Sequence, residues 1–300
     1  MKLSIGIPTY NQAEYIEKAI LSALNQTESA YEVVVSNNHS TDSTAEILGK
    51  YKDKIRIITP PKHLTMTGNF NFLVKHLSGD WFSFISSDDY YEPDFVKIFN
   101  KNVRTDTVLM RFGFNIINEN DTIIKRNVRI RSARKLQSFP GNFYEQLTGP
   151  RIAFTAFAIK LSVFEKVGCF DDRVHINPDW TAWLKLSPKG KFQYIPETVA
   201  NYRVYSRPEI VLPRIKRETI DAEIICNSIQ KNIVDRYDLN VSLWKVARRV
   251  IAERKVECHR RFNLEFKYIY ELYNVSEDEV KSITLVSRWI LKLRELFFKF

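Results

Sequence analysis

Leu3-Ser4-Ile5-Gly6-Ile7-Pro8-Thr9-Tyr10-Asn11 is an apolar run of strand length that stops at a proline and passes into polar residues. Leu3 to Ile7 reads as a buried strand, and Asn11 to Leu24 follows with Ile16, Ile20 and Leu24 at helical spacing. Glu32-Val33-Val34-Val35 is a second strand. The polar turn Asn37 to Asp42 leads into a helix from Ser43 to Tyr51, and Ile55 to Ile58 gives a third strand. Alternating strands and helices with nearly continuous apolar strands predict a parallel sheet covered on both faces. Such sheets bind ligands beyond the carboxyl ends of their strands. The polar residues at those ends are Pro8-Thr9-Tyr10-Asn11, Ser36-Asn37-Asn38-His39, and Ser86-Ser87-Asp88-Asp89 after the strand Trp81 to Ile85.

Further along, Val108 to Phe114 and Ile123 to Ile130 pair as a hairpin across the turn Asn118 to Asp121, and Lys125, Arg126, Arg129, Arg131, Arg134 and Lys135 make a basic run there. Pro150 to Val167 is apolar with a helical end. Asn177-Pro178-Asp179-Trp180 opens another helix, with Asn at the cap and Pro in the first turn. Beyond about Arg214 the composition shifts to long charged helical periods with almost no glycine. Ser276-Glu277-Asp278-Glu279 is a capping box, starting a helix with Val280, Ile283, Val286, Ile290, Leu293 and Phe297 on one face. The expected domains are therefore 1–213, with a donor half at about 1–100 and an acceptor half at about 101–213, and a helical region at 214–300.

Three hundred residues, 44% of them hydrophobic, suffice for a buried core. Cys169, Cys226 and Cys258 are widely spaced without a Cys-x-x-Cys pair, so neither a zinc site nor a disulfide framework is expected and a reducing compartment fits. The amino terminus lacks the apolar stretch of a signal peptide, and no window approaches the roughly 20 apolar residues of a spanning helix. A net charge of +10 attracts anionic partners. Nucleic acid is not among those expected, because no RNA-binding motif interleaves the basic residues. Arg288, Lys292, Arg294 and Lys299 surround Trp289, Phe297, Phe298 and Phe300 in the last helix. That suits either an interfacial helix on an anionic membrane or packing onto the chain or a second copy in a homodimer.

Asp88 and Asp89 arrive side by side at the sheet edge, a pair that repels itself without a cation. A hard divalent ion, Mg²⁺ or Mn²⁺, bridging carboxylate and diphosphate oxygens relieves this; an acidic turn capping the helix near Pro93 is the alternative.

These pieces together resemble the family 2 glycosyltransferases of the GT-A fold over roughly Lys2 to Ser206. The resemblance rests on Ile5 to Asn11, Ser22 to Thr27, Glu32 to Asp42, Gly79-Asp80-Trp81 through Asp88-Asp89, Gly168-Cys169-Phe170-Asp171, and Asp179-Trp180. It implies an α/β GT-A (Rossmann-like) mixed sheet flanked by helices, with an α-helical C-terminal extension. It further implies that Pro8, Thr9 and Tyr10 line a nucleotide pocket and that Asn38 stands where the family reads the base. Ser86, Ser87, Asp88 and Asp89 occupy the family's Asp-x-Asp-Asp positions. Asp88 then matches the primary metal ligand and Asp89 a weaker second, with Ser86 and Ser87 near phosphate or ribose. Asp179 matches the general base, where Pro178 replaces a glutamate; a helix N-terminal carboxylate is the alternative. Arg203 matches a phosphate-neutralising arginine or a structural ion-pair partner, and Tyr205 stands where the family often has histidine.

The expected activity is inverting transfer of a sugar from a nucleoside diphosphate sugar, UDP favoured. The acceptor would be a hydroxyl of a glycan or polyprenyl-diphosphate-linked glycan, in bacterial surface polysaccharide synthesis such as O-antigen or capsule. The expected location is the cytoplasm, peripheral on the inner membrane. A catalytically inactive member serving as a binding partner in an assembly complex is the alternative, motivated by Asn37, Ser86 and Pro178 at usually acidic positions.

Overall fold

The structure, a computed structural model, describes residues 1–128, 135–147, 149, 152–205, 208–239, 241–261 and positions 264, 265, 269, 276 and 278. In chain order the elements are β1 (Leu3–Thr9), α1 (Ile16–Leu24), β2 (Glu32–Asn37), α2 (Thr44–Gly49), β3 (Arg56–Ile58), α3 (Met66–Val74), β4 (Trp81–Phe84) and β5 (Tyr90–Tyr91). There follow α4 (Phe95–Asn102), β6 (Thr107–Ile117), β7 (Ile123–Val128), β8 (Leu136–Gln137), α5 (Gly141–Glu145), β9 (Phe157–Lys160), α6 (Leu161–Lys166), α7 (Pro178–Leu186), β10 (Lys191–Arg203), α8 (Pro208–Ile229) and α9 (Val241–Arg261).

By contacts the chain forms two compact units. The first comprises Met1–Ser138, Ile152–Phe170 and Lys189–Tyr205; the second comprises Phe139–Arg151, Asp171–Pro188 and Ser206–Phe300. Residues 139–151 and 171–188 thus group with 206–300, whereas the sequence reading drew one cut after 213.

The first unit holds a mixed sheet in the order β3-β2-β1-β4-β9-β6-β10-β5, with β7 on β6 and β8 on β10. The strands β3, β2, β1 and β4 are parallel, as their near-continuous apolar runs predict. The sheet becomes mixed at β9, as the GT-A resemblance implies: β9 is antiparallel to both β4 and β6, and β6 and β10 are again parallel.

Side chains alternate across this sheet. Leu3, Ile5, Ile7 and Trp81 join a core with Ile16, Ala19, Ile20 and Ala23 of α1, Leu48 of α2, and Phe95, Val96 and Phe99 of α4. Phe82 and Phe84, on the opposite face, meet the rings of Phe70 on α3, Phe164 on α6, and Phe154, Phe157 and Phe170. Gly6 is required there: a Cβ on it would sit 2.6 Å from the Phe84 ring and 3.0 Å from Leu73. The second unit has its own core, in which Trp180 and Leu184 of α7 pack with Ile225, Cys226 and Ile229 of α8 and Ala247, Ile251 and Val256 of α9.

The expected hairpin forms between β6 and β7, closed by Asn118, whose Oδ1 accepts from Asn120 N and Thr122 N. Lys125 and Arg126 lie on its exposed face; Arg129, Arg131 and Arg134 lie outside the described residues, as does nearly all of the expected C-terminal amphipathic helix. Among the described residues no helix is long and apolar enough to cross a membrane.

Because neither Phe84 nor Leu73 can retreat from a packed core, Gly6→Ala is expected to destabilise the first unit by about 1–3 kcal/mol. The check is a chemical denaturation curve whose midpoint falls without a change in slope.

Candidate active site

The carboxyl ends of β1, β2 and β4 lie side by side, since Gly6 pairs with Val34 on one side and Phe84 on the other. The loops leaving β1 and β2 are laced together. Asn11 Oδ1 accepts from Thr41 N at 2.8 Å, Asn11 N donates to Ser40 Oγ, Gln12 N to Thr44 Oγ1, and Ala13 N to Asp42 Oδ2, each at 3.0 Å. Asn11 and His39 take φ values of 51° and 61°, a left-handed bend that asparagine tolerates well. At this edge Pro8 and Thr9 are buried while Tyr10 is 45% exposed. The Tyr10 ring stands 4.6 Å from that of His63, which is also exposed.

Asn38 lies in the same place but with its amide occupied. Its Nδ2 donates to Leu64 O and its Oδ1 accepts from Leu64 N, both at 2.9 Å, and it is 3% exposed. Asn38, expected to stand where the family reads the base, here clamps the loop before α3. His63 Nδ1 donates to Asn38 O at 3.0 Å, and His39 Nε2 to Pro60 O at 2.8 Å, which tightens the same clamp.

At the end of β4 the chain turns through Ser86, half-buried, and Ser87, buried, with Asp89 N donating to Ser86 O. Asp88 and Asp89 then part company. Asp88 is partly exposed, and its Oδ2 accepts from the Tyr205 hydroxyl at 2.8 Å. Asp89, the residue expected to be a second metal ligand, is 2% exposed and accepts the Arg203 N–H at 2.7 Å. Burial, joined by the Asp88 charge, pushes the Asp89 carboxyl well above the usual carboxylate range. Burial together with Asp88 likewise raises the Tyr205 hydroxyl.

Arg203 is turned into the protein. Its side chain is 1% exposed: Nε donates to Asp88 O, Nη1 to Asn118 O and Glu119 O, and Nη2 to Asp121, while its plane stacks on Tyr15. Of the two roles weighed for Arg203, the structural one is observed, because a buried guanidinium must have its donors met by protein. Among the described residues no three His, Cys, Asp or Glu side chains are grouped to hold a metal ion.

Asp179 belongs to the second unit. Pro178 takes the first turn of α7, where its missing N–H is harmless. Asn177 is the residue before it but makes no side-chain cap bond, its amide being drawn to Glu218. Asp179 is 7% exposed, and burial pushes its carboxyl up to about 7, with backbone hydrogen bonds from Trp180 and Asp179, the Arg214 charge and the Trp183 side chain pulling the other way. The approach to Asp179 is fixed by Asp221 of α8, whose Oδ2 accepts from His175 N at 2.8 Å and Ile176 N at 2.6 Å.

Residues 4–168 match the sequence pattern described as Glycosyl transferase family 2, more than half of the chain. The chain belongs to this family. Among its relatives, the chondroitin synthase of Pasteurella multocida (strain Pm70) is 29% identical over 204 residues, covering 66% of this chain and 20% of that protein. An uncharacterized glycosyltransferase of Rickettsia typhi is 30% identical over 212 residues, 68% of this chain and 64% of its own. The chain therefore spans about a fifth of the length of the polymer synthase it matches. Among solved structures, S. aureus TarS 1-349 in complex with UDP-GlcNAc aligns over 99% of this chain and 88% of its own, with a TM-score of 0.60 at 15% identity. At that identity the likeness shows the fold, and the GT-A expectation holds.

The family resemblance drew attention to Pro8, Tyr10 and Asp88 but not to His63, Asp121 or Tyr15. Nothing in the local sequence marks these three, since their importance comes from contacts with residues far along the chain.

The raised Asp179 carboxyl has a thermodynamic consequence. Folding favours its neutral form, so it imposes no penalty below about pH 4, and stability is lost as pH rises from there through about 7. Asp179→Asn, neutral throughout, is expected to melt above wild type at pH 8 and to match it near pH 4, each pH unit of that window being worth about 1.4 kcal/mol. Thermal melts of both proteins across that range are the check.

Proposed function

We propose that this glycosyltransferase moves one sugar from a nucleoside diphosphate donor, UDP favoured, to a hydroxyl of a glycan or lipid-linked glycan with inversion of configuration. The observation that carries the reading is the outward Asp88 carboxylate on the same strand edge as the exposed Tyr10 and His63 rings. An aromatic pair suits a nucleobase, and a carboxylate one strand away suits the cation that accompanies a diphosphate. The names of the relatives support the same direction, since chondroitin and hyaluronan synthases build polysaccharides and TarS was solved with UDP-GlcNAc. Surface polysaccharide assembly is the setting these relatives favour.

The donor set bears on the metal. Asp88 supplies one carboxylate to which Tyr205 already donates, and Asp89 faces inward. That fits an Mg²⁺ or Mn²⁺ ion that arrives with the diphosphate and takes most of its oxygens from it, rather than a cage formed by protein alone. Bound there, the ion would neutralise charge on the departing diphosphate. We assign Asp88 to the metal, Asp89 to holding the Arg203 backbone, and Pro8, Thr9, Ser86 and Ser87 to the walls of the donor pocket.

Asp179 is assigned the base. The acceptor oxygen forms its bond to the anomeric carbon as the bond from that carbon to the diphosphate oxygen breaks. The electron pair leaves with the diphosphate, and the acceptor proton passes to an Asp179 oxygen. A carboxyl held near 7 is matched to that task, strong enough as a base yet ionised at working pH.

Titration with nucleotide sugars with and without Mn²⁺ tests the assignments. Asp88→Ala is expected to lose the metal-dependent part of donor binding. Asp179→Asn is expected to keep binding while turnover falls about 10²–10⁴-fold. The activity of wild type is expected to rise with pH through about 7, as Asp179 ionises. Full turnover in Asp179→Asn would remove it from the base role.

A further inference from the structure

Asn38 is the polar side chain nearest to a base-reading position in sequence, yet both ends of its amide close on the Leu64 main chain. Its backbone is engaged as well, N donating to Thr9 O at 2.9 Å and O accepting from His63 Nδ1 at 3.0 Å. With that side chain 3% exposed and bonded to the loop, an exposed group at the same edge is better placed to read a base. A carbonyl oxygen only accepts, so His63 carries its proton on Nδ1, and in the neutral ring Nε2 is left with a lone pair. The two ring nitrogens diverge, so with Nδ1 turned to the Asn38 carbonyl Nε2 is directed away from that carbonyl, on a ring whose centroid lies 4.6 Å from that of the exposed Tyr10. The ring is also held in place, because Asn38 and His39 pin the chain on either side of it at Leu64 and Pro60.

Stacking on Tyr10 tolerates any base, since every base offers a π-face. Discrimination has to come from an edge. Uracil presents an N3–H donor between two carbonyls, whereas cytosine presents a bare N3 acceptor. We infer that His63 Nε2 accepts the N3–H of a uracil-type base stacked at Tyr10, which makes His63 the specificity-determining residue for uracil over cytosine. This rests on the donor-site reading proposed above and deepens it.

The test is calorimetric titration of the full chain with UDP and with CDP in the presence of Mn²⁺, with melting curves confirming that each variant is folded. Wild type is expected to bind UDP about tenfold or more tighter than CDP, the scale set by one acceptor facing a donor in one case and another acceptor in the other. His63→Asn keeps a side-chain N–H for the Asn38 carbonyl but has nothing at the ε position, and the ratio should fall toward one. His63→Gln can place an amide oxygen near the ε position and should retain most of the preference. Tyr10→Ala should weaken both nucleotides alike. A wild-type UDP preference that survives in His63→Asn would overturn the role of His63 and leave the donor site standing. A wild type that binds neither nucleotide would overturn the donor-site reading itself.

Discussion

A cation with almost no access to water sits under the strand edge, and the arrangement of the first unit around Asp88 follows from the need to satisfy it. The Arg203 guanidinium reaches Asp88 O, Asn118 O, Glu119 O and Asp121, and its own backbone N–H is taken by Asp89. A buried positive charge is tolerated only when carbonyls and a carboxylate meet it on several sides. Here those groups come from the loop after β4 and from the β6–β7 turn, so one side chain at the end of β10 ties two remote stretches to its own strand. The carboxylates of the adjacent aspartates are thereby sent in opposite directions, one inward to the backbone of the arginine and one outward to the edge.

This separation resolves the repulsion that two neighbouring carboxylates create. Asp89 escapes by burial in a setting that favours its neutral form. Asp88 retains a hydroxyl donor, Tyr205, and a partly exposed position. The sequence offered two ways out, a divalent ion held mainly by Asp88 with Asp89 as a weaker second ligand, or an acidic turn. Within the protein geometry already relieves part of the conflict, because Asp89 bonds inward to the Arg203 backbone while Asp88 stays partly exposed.

The sequence was most informative where local physics decides structure. The runs at β1, β2, β3 and β4 are apolar, short and bounded by turn residues and were read as strands, as was the β6–β7 hairpin from its polar turn. The strand β10 was not read, because Pro196 and several polar residues interrupt it and its pairing irregularities occur in the same stretch. Nor was the antiparallel β9, whose apolar residues are equally compatible with a helix. At the site, Tyr10 and Asp88 were legible because they follow strong strands. The uses of Asn38 and Arg203 were not, since the partners that settle them, Leu64 and the turn at Asn118–Asp121, are 26 and 82–85 residues away in the chain.

The clamp on the loop before α3 has a bearing on how the protein can change over generations. Asn38 bonds to main-chain atoms of residue 64, and His39 to a main-chain oxygen of residue 60. Main-chain atoms are the same whatever side chain is carried, so positions 60 to 62 and 64 can drift in identity while the loop keeps its path, His63 and Thr65 being held by their own side-chain bonds. The freedom lies on one side of the clamp only, for no other residue at 38 supplies a donor and an acceptor at that reach. Variation in this loop can thus retune what is bound above it without unfastening what lies beneath.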